Sequence, residues 1–277
     1  MAYKTVLVHV DASARCAARI EIAIRVARQF DARLVGLNAL TRTESPGCVL
    51  AGAGGMPIAD IQKRLASEQA TRAQAVFGKE VATAGLAAAE WRTSELDAVE
   101  AVMLHGRYAD LIVLGQPGDA GGSGVQSGFA EQVMLEAGRP VLMVPHVGSF
   151  PTLGKRILVG WNASREAIRA VTDAIPFLRQ AEAVKVIAIN PKAGEHGALP
   201  GSDIALYLAR HGVRVDVHVD KAVKIDDGTE ILSRAADFSA DLIVTGAYGR
   251  SRFRELVMGG ASRTLINSMT VPVLLSH

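Results

Sequence analysis

Short apolar runs alternate along this chain with longer segments in which apolar residues recur every three or four positions. The runs predict buried strands, and the longer segments predict helices, the first one capped by Ser13 and reaching about Gln29. The strands of the first half are expected over 5–10, 33–39, 86–92 (weakly), 110–115 and 141–144, and the later helices over 58–83, over 95–106 and from about Phe129. Such an alternation is typical of a parallel sheet with helices on both faces.

The second half of the chain repeats the pattern of the first. KTVLVHVDAS at 4–13 matches KRILVGWNAS at 155–164, and ADLIVLGQPG at 109–118 matches ADLIVTGAYG at 240–249. We therefore predict a duplicated domain, with copies at 1–147 and 152–277 and a linker over 146–154. In the second copy, strands are expected over 156–161, 184–189, 213–219, 241–246 and 271–275, and helices over 164–179, 201–211, 228–238 and 260–268.

Composition excludes several classes of protein. The chain has 277 residues and a formal net charge of +2, which gives no general case for binding nucleic acid or a membrane surface. No apolar run approaches the length of a membrane span. The apolar run near the first residues is too short for a secretory signal and meets Asp11 at once, so a cytoplasmic location is expected. The two cysteines, Cys16 and Cys48, are too few for a disulfide scaffold or a metal cluster.

A glycine-lined turn in the second half is the strongest candidate for chemistry. Gly246 ends a predicted strand, Gly249 follows, and Gly259 and Gly260 open a predicted helix. A helix start offers unpaired N–H groups and a partial positive charge, so the turn predicts a site for a phosphate-bearing ligand. The alternative is a surface loop with capping glycines. The same spacing recurs at Gly115, Gly118 and Gly128, so the turn belongs to the repeat.

Charge distinguishes the two copies of the turn. Residues 116–133 contain Asp119 and Glu131, whereas residues 247–264 contain four arginines and one glutamate. The cations of the second copy favour an anionic phosphate near a helix start, and a carboxylate in the first helical turn opposes one. We therefore expect the second half to bind a ligand and the first half to be degenerate. The four arginines are Arg250, Arg252, Arg254 and Arg263.

These motifs resemble the universal stress protein family in its tandem form. The family motif G-x2-G-x9-G-[ST] lies between its fourth strand and fourth helix, and an Asp-x-Ser-like start follows its first strand. Here the start is Asp11-Ala12-Ser13 in one copy and Asn162-Ala163-Ser164 in the other. The resemblance implies an α/β fold of two tandem, doubly wound, five-stranded parallel-sheet domains of Rossmann-like type. It also implies a pseudo-dimer, paired through strands 141–144 and 271–275.

The resemblance also implies a ligand, ATP with magnesium, in the second half. Asn162 stands where ATP-binding members place an aspartate near the ribose and metal, and Ile189 stands where a backbone group meets the adenine. Gly260 replaces a hydroxyl residue of the motif. The phosphates would be held by Gly246, Gly249, Gly259 and Gly260, with Ala261 and Ser262 at the helix start and Arg250 as a further contact. In the first half, Phe129 replaces the hydroxyl residue and Glu131 aligns with Ser262.

The function that follows is a stress-response regulatory protein that binds an adenine nucleotide. The alternative is a scaffold or interaction protein without nucleotide, and further homo-oligomers remain open. No paired carboxylates or general base mark the turn, so we expect no enzyme, with slow ATP hydrolysis left open. Three features keep two interpretations each: a metal pair or a structural contact at His9 and Asp11, base stacking or core packing at Trp161, and a lid or a tolerated insertion at 41–57.

Overall fold

The fold is described from a computed structural model. The structure describes residues 2–39, 58–117, 128–191, 201–220, 226–247 and 260–277. The segment 41–57 therefore lies outside the described residues, and so do Gly249, Arg250 and Gly259.

The first half contains five strands and four helices among its described residues. They are β1 (Thr5–His9), α1 (Cys16–Phe30), β2 (Arg33–Ala39), α2 (Ile58–Ala84), β3 (Ala89–Ser94), α3 (Ala98–Gly106), β4 (Leu111–Gly115), α4 (Phe129–Glu136) and β5 (Val141–Val144).

The described part of the second half repeats this order. Its elements are β6 (Arg156–Gly160), α5 (Arg165–Leu178), β7 (Ala183–Ile189), α6 (Ser202–Arg210), β8 (Asp216–Asp220), α7 (Asp227–Asp237), β9 (Leu242–Gly246), α8 (Ala261–Ser268) and β10 (Val273–Ser276). The predicted elements are all present, with ends that differ from the prediction by at most three residues.

All ten strands form one sheet, in the order β3-β2-β1-β4-β5-β10-β9-β6-β7-β8. Within each half the neighbouring strands are parallel. Side chains alternate between the two faces of a strand, so Val6 and Val8 enter the core on one face and Leu7 enters the core on the other. Helices α1, α2, α5 and α6 cover the first face, and α3, α4, α7 and α8 cover the second. This confirms the predicted α/β fold.

The two halves join through an antiparallel pair of strands, β5 and β10. Leu142 faces Leu274, Val141 faces Leu275, and every residue of the two strands is buried. The internal pairing predicted for the last strands is therefore confirmed. An apolar edge strand left unpaired would be prone to aggregation, and each strand covers the edge of the other.

Gln116 adds a polar connection between the halves. Its Nε2 donates to the carbonyl oxygens of Ile266 and Asn267, both at 2.9 Å, in the last turn of α8. Its Oε1 accepts from the N–H of His146 at 3.0 Å. The carbonyl groups in the last turn of a helix have no hydrogen-bond partner within the helix. The side chain of Gln116, from the first half, therefore caps the C-terminal end of α8 in the second half.

The start of α1 differs from the prediction. The helix begins at Cys16, after Arg15, so Ser13 is not its N-cap. Ser13 instead donates its N–H and its hydroxyl to the carboxylate of Asp11, at 3.0 and 2.5 Å. In the second half, Ser164 caps α5 and accepts from the N–H of Ala167 at 3.2 Å. The difference arises because the Asp11 carboxylate engages the hydroxyl that would otherwise cap the helix.

Among the described helices, none combines the length and apolar character that crossing a membrane requires.

The pairing of β5 with β10 predicts a measurable coupling. We expect Leu142→Ala and Leu274→Ala each to lower the free energy of unfolding by about 2–5 kcal/mol, because each removes a fully buried side chain. The double variant should lose less than the sum, since the two side chains share one site. Urea unfolding of the intact chain measures this, and Leu206→Ala, at a residue that is 52% exposed, is the control with little effect. Additive losses would contradict the coupling.

Candidate functional site

A cavity of about 230 Å³ opens at the carboxyl ends of β6, β7 and β9. Parallel sheets of this kind bind ligands at that edge, because loops and helix starts converge there. The cavity is lined by Gly160, Trp161, Asn162, Ser164, Ile187, Ile189, Asp227, Ile231, Thr245, Gly246, Ala261, Ser262 and Leu265.

Two helix starts meet at one side of this cavity. A Cβ added at Gly228, in the first turn of α7, would lie 2.3 Å from the carbonyl oxygen of Ala261 at the start of α8. Only a glycine allows the two helices to approach this closely. Gly260 precedes α8 without a side chain to cap its first turn, and first-turn N–H groups have no carbonyl partner within a helix. This side of the cavity therefore suits an anionic group.

Gly246 has a packing role in addition to its place at the cavity. A Cβ there would lie 2.5 Å from the backbone nitrogen of Ala167 and 2.6 Å from the carbonyl carbon of Glu166. The end of β9 thus rests directly against the first turn of α5. The glycine that opens the family motif is required by this contact, whether or not a phosphate lies near it.

The rest of the lining divides into an apolar floor and a polar rim. Ile187, Ile231 and Leu265 form the floor, and Trp161 lies at the side, half-buried and packed against the core. Asn162 belongs to the rim, where its Oδ1 accepts from the N–H of Ser164 at 3.1 Å. An apolar cleft with a few polar groups is the usual composition of a small-molecule site.

The structure brings together most of the predicted site residues that it describes. Five of them line the cavity, and Gly260 lies next to it at the start of α8. Gly249, Arg250 and Gly259 fall outside the described residues, so their placement stays a prediction. The five lining residues are Asn162, Ile189, Gly246, Ala261 and Ser262.

Sequence reasoning missed two polar residues of the lining, Asp227 and Thr245. Thr245 directly precedes Gly246 at the end of β9, so its position beside the glycine could have indicated it. Asp227 begins α7, about 20 residues before Gly246 along the chain, and only the fold brings it to the same cavity.

The matching region of the first half is filled by larger side chains. His9 aligns with Gly160, and Phe129 aligns with Gly260. Both side chains are buried, and their ring centroids lie 4.9 Å apart. Arg19, which aligns with Ala170, extends to Gly115, where an added Cβ would lie 2.5 Å from its Nη1. The prediction that this half is degenerate rested on charge, and these buried side chains add a steric reason for the same expectation.

Asp11 is the centre of a buried cluster in this filled pocket. Its Oδ1 accepts from Nη2 of Arg19 at 2.7 Å, and its Oδ2 lies 3.7 Å from Nδ1 of His9. Burial raises the pKa of the Asp11 carboxyl, but the charge of Arg19, His9 and the hydrogen bond from Ser13 lower it to about 2. The carboxylate therefore stays ionised and bonded within the protein. His9 thus lies against a carboxylate that is already bonded to Arg19 and Ser13, and no group of three or more potential metal ligands occurs among the described residues.

His9 is held neutral by the same environment. Burial lowers the pKa of its imidazole to about 4, against a smaller opposing effect of Asp11. The unfolded chain gains a proton on His9 below about pH 6.5, whereas the native protein gains it only near pH 4. The contribution of neutral His9 to the free energy of unfolding is therefore complete above pH 6.5 and is lost as the pH falls toward 4.

We expect the free energy of unfolding to fall by on the order of 3 kcal/mol between pH 6.5 and 4 because of His9. His9→Gln keeps a polar side chain of similar size without the titration, so it should flatten this part of the curve. Urea unfolding at a series of pH values measures the slope. His218→Gln, at an exposed position of β8, is the control that should keep the wild-type slope. Equal slopes for wild type and His9→Gln would contradict the assignment.

Comparison with known proteins finds similarity to one family in both halves of the chain. The sequence model of the universal stress protein family matches residues 2–145 and 154–277. A universal stress protein from Archaeoglobus fulgidus has a similar structure, with a TM-score of 0.76, 18% identity, and coverage of 98% of this chain and 95% of that one.

A functionally unknown protein from Pseudomonas aeruginosa is also similar, with a TM-score of 0.61, 15% identity, and coverage of 99% and 92%. At these identities the likeness concerns the fold. No functionally curated protein matched the chain in sequence. The two matches to the family in one chain, together with the duplicated sheet, show that this chain belongs to the universal stress protein family in its tandem form.

Proposed function

We propose that this chain is a stress-response regulatory protein that binds an adenine nucleotide, ATP, in the cavity of its second half. The observation that carries the proposal is the cavity itself, which combines an apolar floor with a helix start at the carboxyl edge of a parallel sheet. A nucleotide has the matching parts, an apolar base and an anionic phosphate chain.

Each part of the nucleotide has a place in this proposal. The base lies on Ile187 and Ile231, beside Ile189 and Trp161, where burial of its flat faces is favourable. The phosphates lie at the start of α8, beside Gly246 and Ser262. Contacts to the phosphates from Gly249, Arg250 and Gly259 are part of the proposal.

The size of the cavity supports a partly enclosed ligand. Small-molecule pockets usually measure about 300–1,000 Å³, and the described lining encloses about 230 Å³. Base and ribose are the parts to be enclosed, with the phosphates extending past the described lining.

Magnesium would come with the phosphates under this proposal. Asn162 carries no charge, and its Oδ1 already accepts from the N–H of Ser164. Mg²⁺ prefers carboxylates, phosphates and water, so the residues at this position do not themselves supply a magnesium ligand of the usual kind. We expect nucleotide binding to depend only weakly on magnesium.

A scaffold without nucleotide is the second candidate. The observation in its favour is that the protein's own residues join the halves, through the pairing of β5 with β10 and the hydrogen bonds of Gln116. Thermal unfolding distinguishes the two functions. A ligand that binds only the native state raises the melting temperature of the protein as the ligand concentration rises. A scaffold would be indifferent to ATP.

We expect ATP at 100 times its dissociation constant to stabilise the wild-type chain by about 2.7 kcal/mol. Ser262→Glu should weaken ATP binding at least tenfold, because it places a carboxylate in the first turn of α8, as Glu131 does in α4. Calorimetric titration and thermal unfolding measure both effects, with and without magnesium.

Ser233→Glu is the matched control, since Ser233 is exposed on α7 and does not line the cavity. It should bind ATP as the wild type does. Absence of ATP binding by the wild-type chain would reject the nucleotide function, and unchanged binding by Ser262→Glu would reject the location.

A further inference from the structure

Asp227 stands at the cavity with a side chain that the helix does not need. Its neighbour Asp226 is the N-cap of α7 and accepts from the N–H groups of Gly228 and Thr229, at 3.0 and 3.3 Å. Asp227 is the first residue of the helix itself, and its carboxylate is not used for capping. An acidic residue in the first turn is stabilised by the helix dipole, so the charge is tolerated there.

One contact fixes where this carboxylate lies. Nδ2 of Asn190 donates to Oδ1 of Asp227 at 3.2 Å. Asn190 directly follows Ile189, the last residue of β7, and adopts a left-handed backbone conformation with φ of 48°. The carboxylate is therefore placed at the β7 end of the cavity. Its Oδ2 accepts no hydrogen bond from another residue within the described ranges.

The filled half of the chain lacks this acid. Asp97 caps α3 as Asp226 caps α7, so the residues that follow correspond. Ala98 stands in the place of Asp227, and Val99 in the place of Gly228. The carboxylate thus occurs in the half with an open cavity and is replaced by a methyl group in the half whose pocket is filled. Helix capping does not explain the difference, because both helices keep their capping aspartate.

The chemistry of a carboxylate limits what it can recognise here. An ionised carboxylate only accepts hydrogen bonds, and it repels a carbonyl oxygen or a phosphate. At the β7 end it faces the part of the ligand that lies beside Ile189, which in the proposed function is the base. A base with an exocyclic amine offers it an N–H, whereas a base with a keto oxygen at the same position offers a lone pair.

We propose that Asp227 selects the base of the bound nucleotide by accepting a hydrogen bond from its exocyclic amine. The ligand class is then a purine nucleotide with a 6-amino group, and the 6-keto analogue is rejected. Asp227 acts as a specificity-determining residue, with Asn190 holding its carboxylate in place. This inference rests on the proposed function, since it names the residue that recognises the base of a nucleotide bound in the same cavity.

The test compares ATP with inosine triphosphate, in which a keto oxygen replaces the 6-amine and N1 carries a hydrogen. Calorimetric titration of the full chain should show ATP binding at least about tenfold tighter, because at the 6 position the carboxylate then faces a keto oxygen, which repels it, instead of an N–H donor. Asp227→Ala should bring the ratio of the two affinities close to one. Asp227→Asn should do the same while keeping the side-chain shape, because an amide can turn to accept from an amine or donate to a keto oxygen.

Asp203→Ala is the matched control. Asp203 is an exposed acid in the first turn of α6, the helix that precedes α7 in the chain, and it does not line the cavity, so its variant should keep the wild-type ratio. A wild-type ratio near one, or an unchanged ratio in both Asp227 variants, would overturn the role of Asp227 while leaving nucleotide binding intact. An equal loss for both nucleotides would assign Asp227 to the ribose or to stability and would also overturn it. Binding of neither nucleotide by the wild type would reject the proposed function itself.

Discussion

The antiparallel pairing of β5 with β10 is the constraint on which the arrangement of the molecule depends. Each half ends in a buried strand of four residues that has no second neighbour within its own half. Pairing these strands removes both edges and turns two parallel sheets into one sheet of ten strands. Because the pairing is antiparallel, the carboxyl edges of the two halves face in opposite directions. The cavity of the second half therefore opens on the side where the strands of the first half begin.

Much of this fold could be predicted from the chain alone. The apolar runs are short and recur in the same order in both halves, so the strands and their order in sequence were recognisable. The start of α1 could not be predicted in this way. Ser13 has a side chain typical of an N-cap, but its hydroxyl donates to the carboxylate of Asp11 instead of capping the helix. The local sequence indicates which residues are candidates for helix caps, but the contact between Ser13 and Asp11 is visible only in the structure.

The candidate site was predictable in part for the same reason. Gly246 and Ser262 lie within one recognisable stretch, whereas Asp227 reaches the cavity from another strand-to-helix connection. The filling of the first half depends on His9 and Phe129 meeting in space, although they are far apart in sequence. Aligning the two copies residue by residue does reveal these differences, since His9 matches Gly160 and Phe129 matches Gly260. Only the structure shows that the larger members of these pairs occupy one volume.

The filled pocket of the first half has a consequence for how such a chain would respond to its ligand. A dimer of identical subunits offers two equivalent sites, and its occupancy can rise steeply or in stages as the sites influence each other. Here His9 and Phe129 occupy the space of one site with the protein's own atoms. Under the proposed function, the filled half offers no equivalent cavity to be coupled, so binding would follow a hyperbolic curve with one ligand per chain. The two halves share one paired architecture, but side chains of the first half fill the place that is an open cavity in the second.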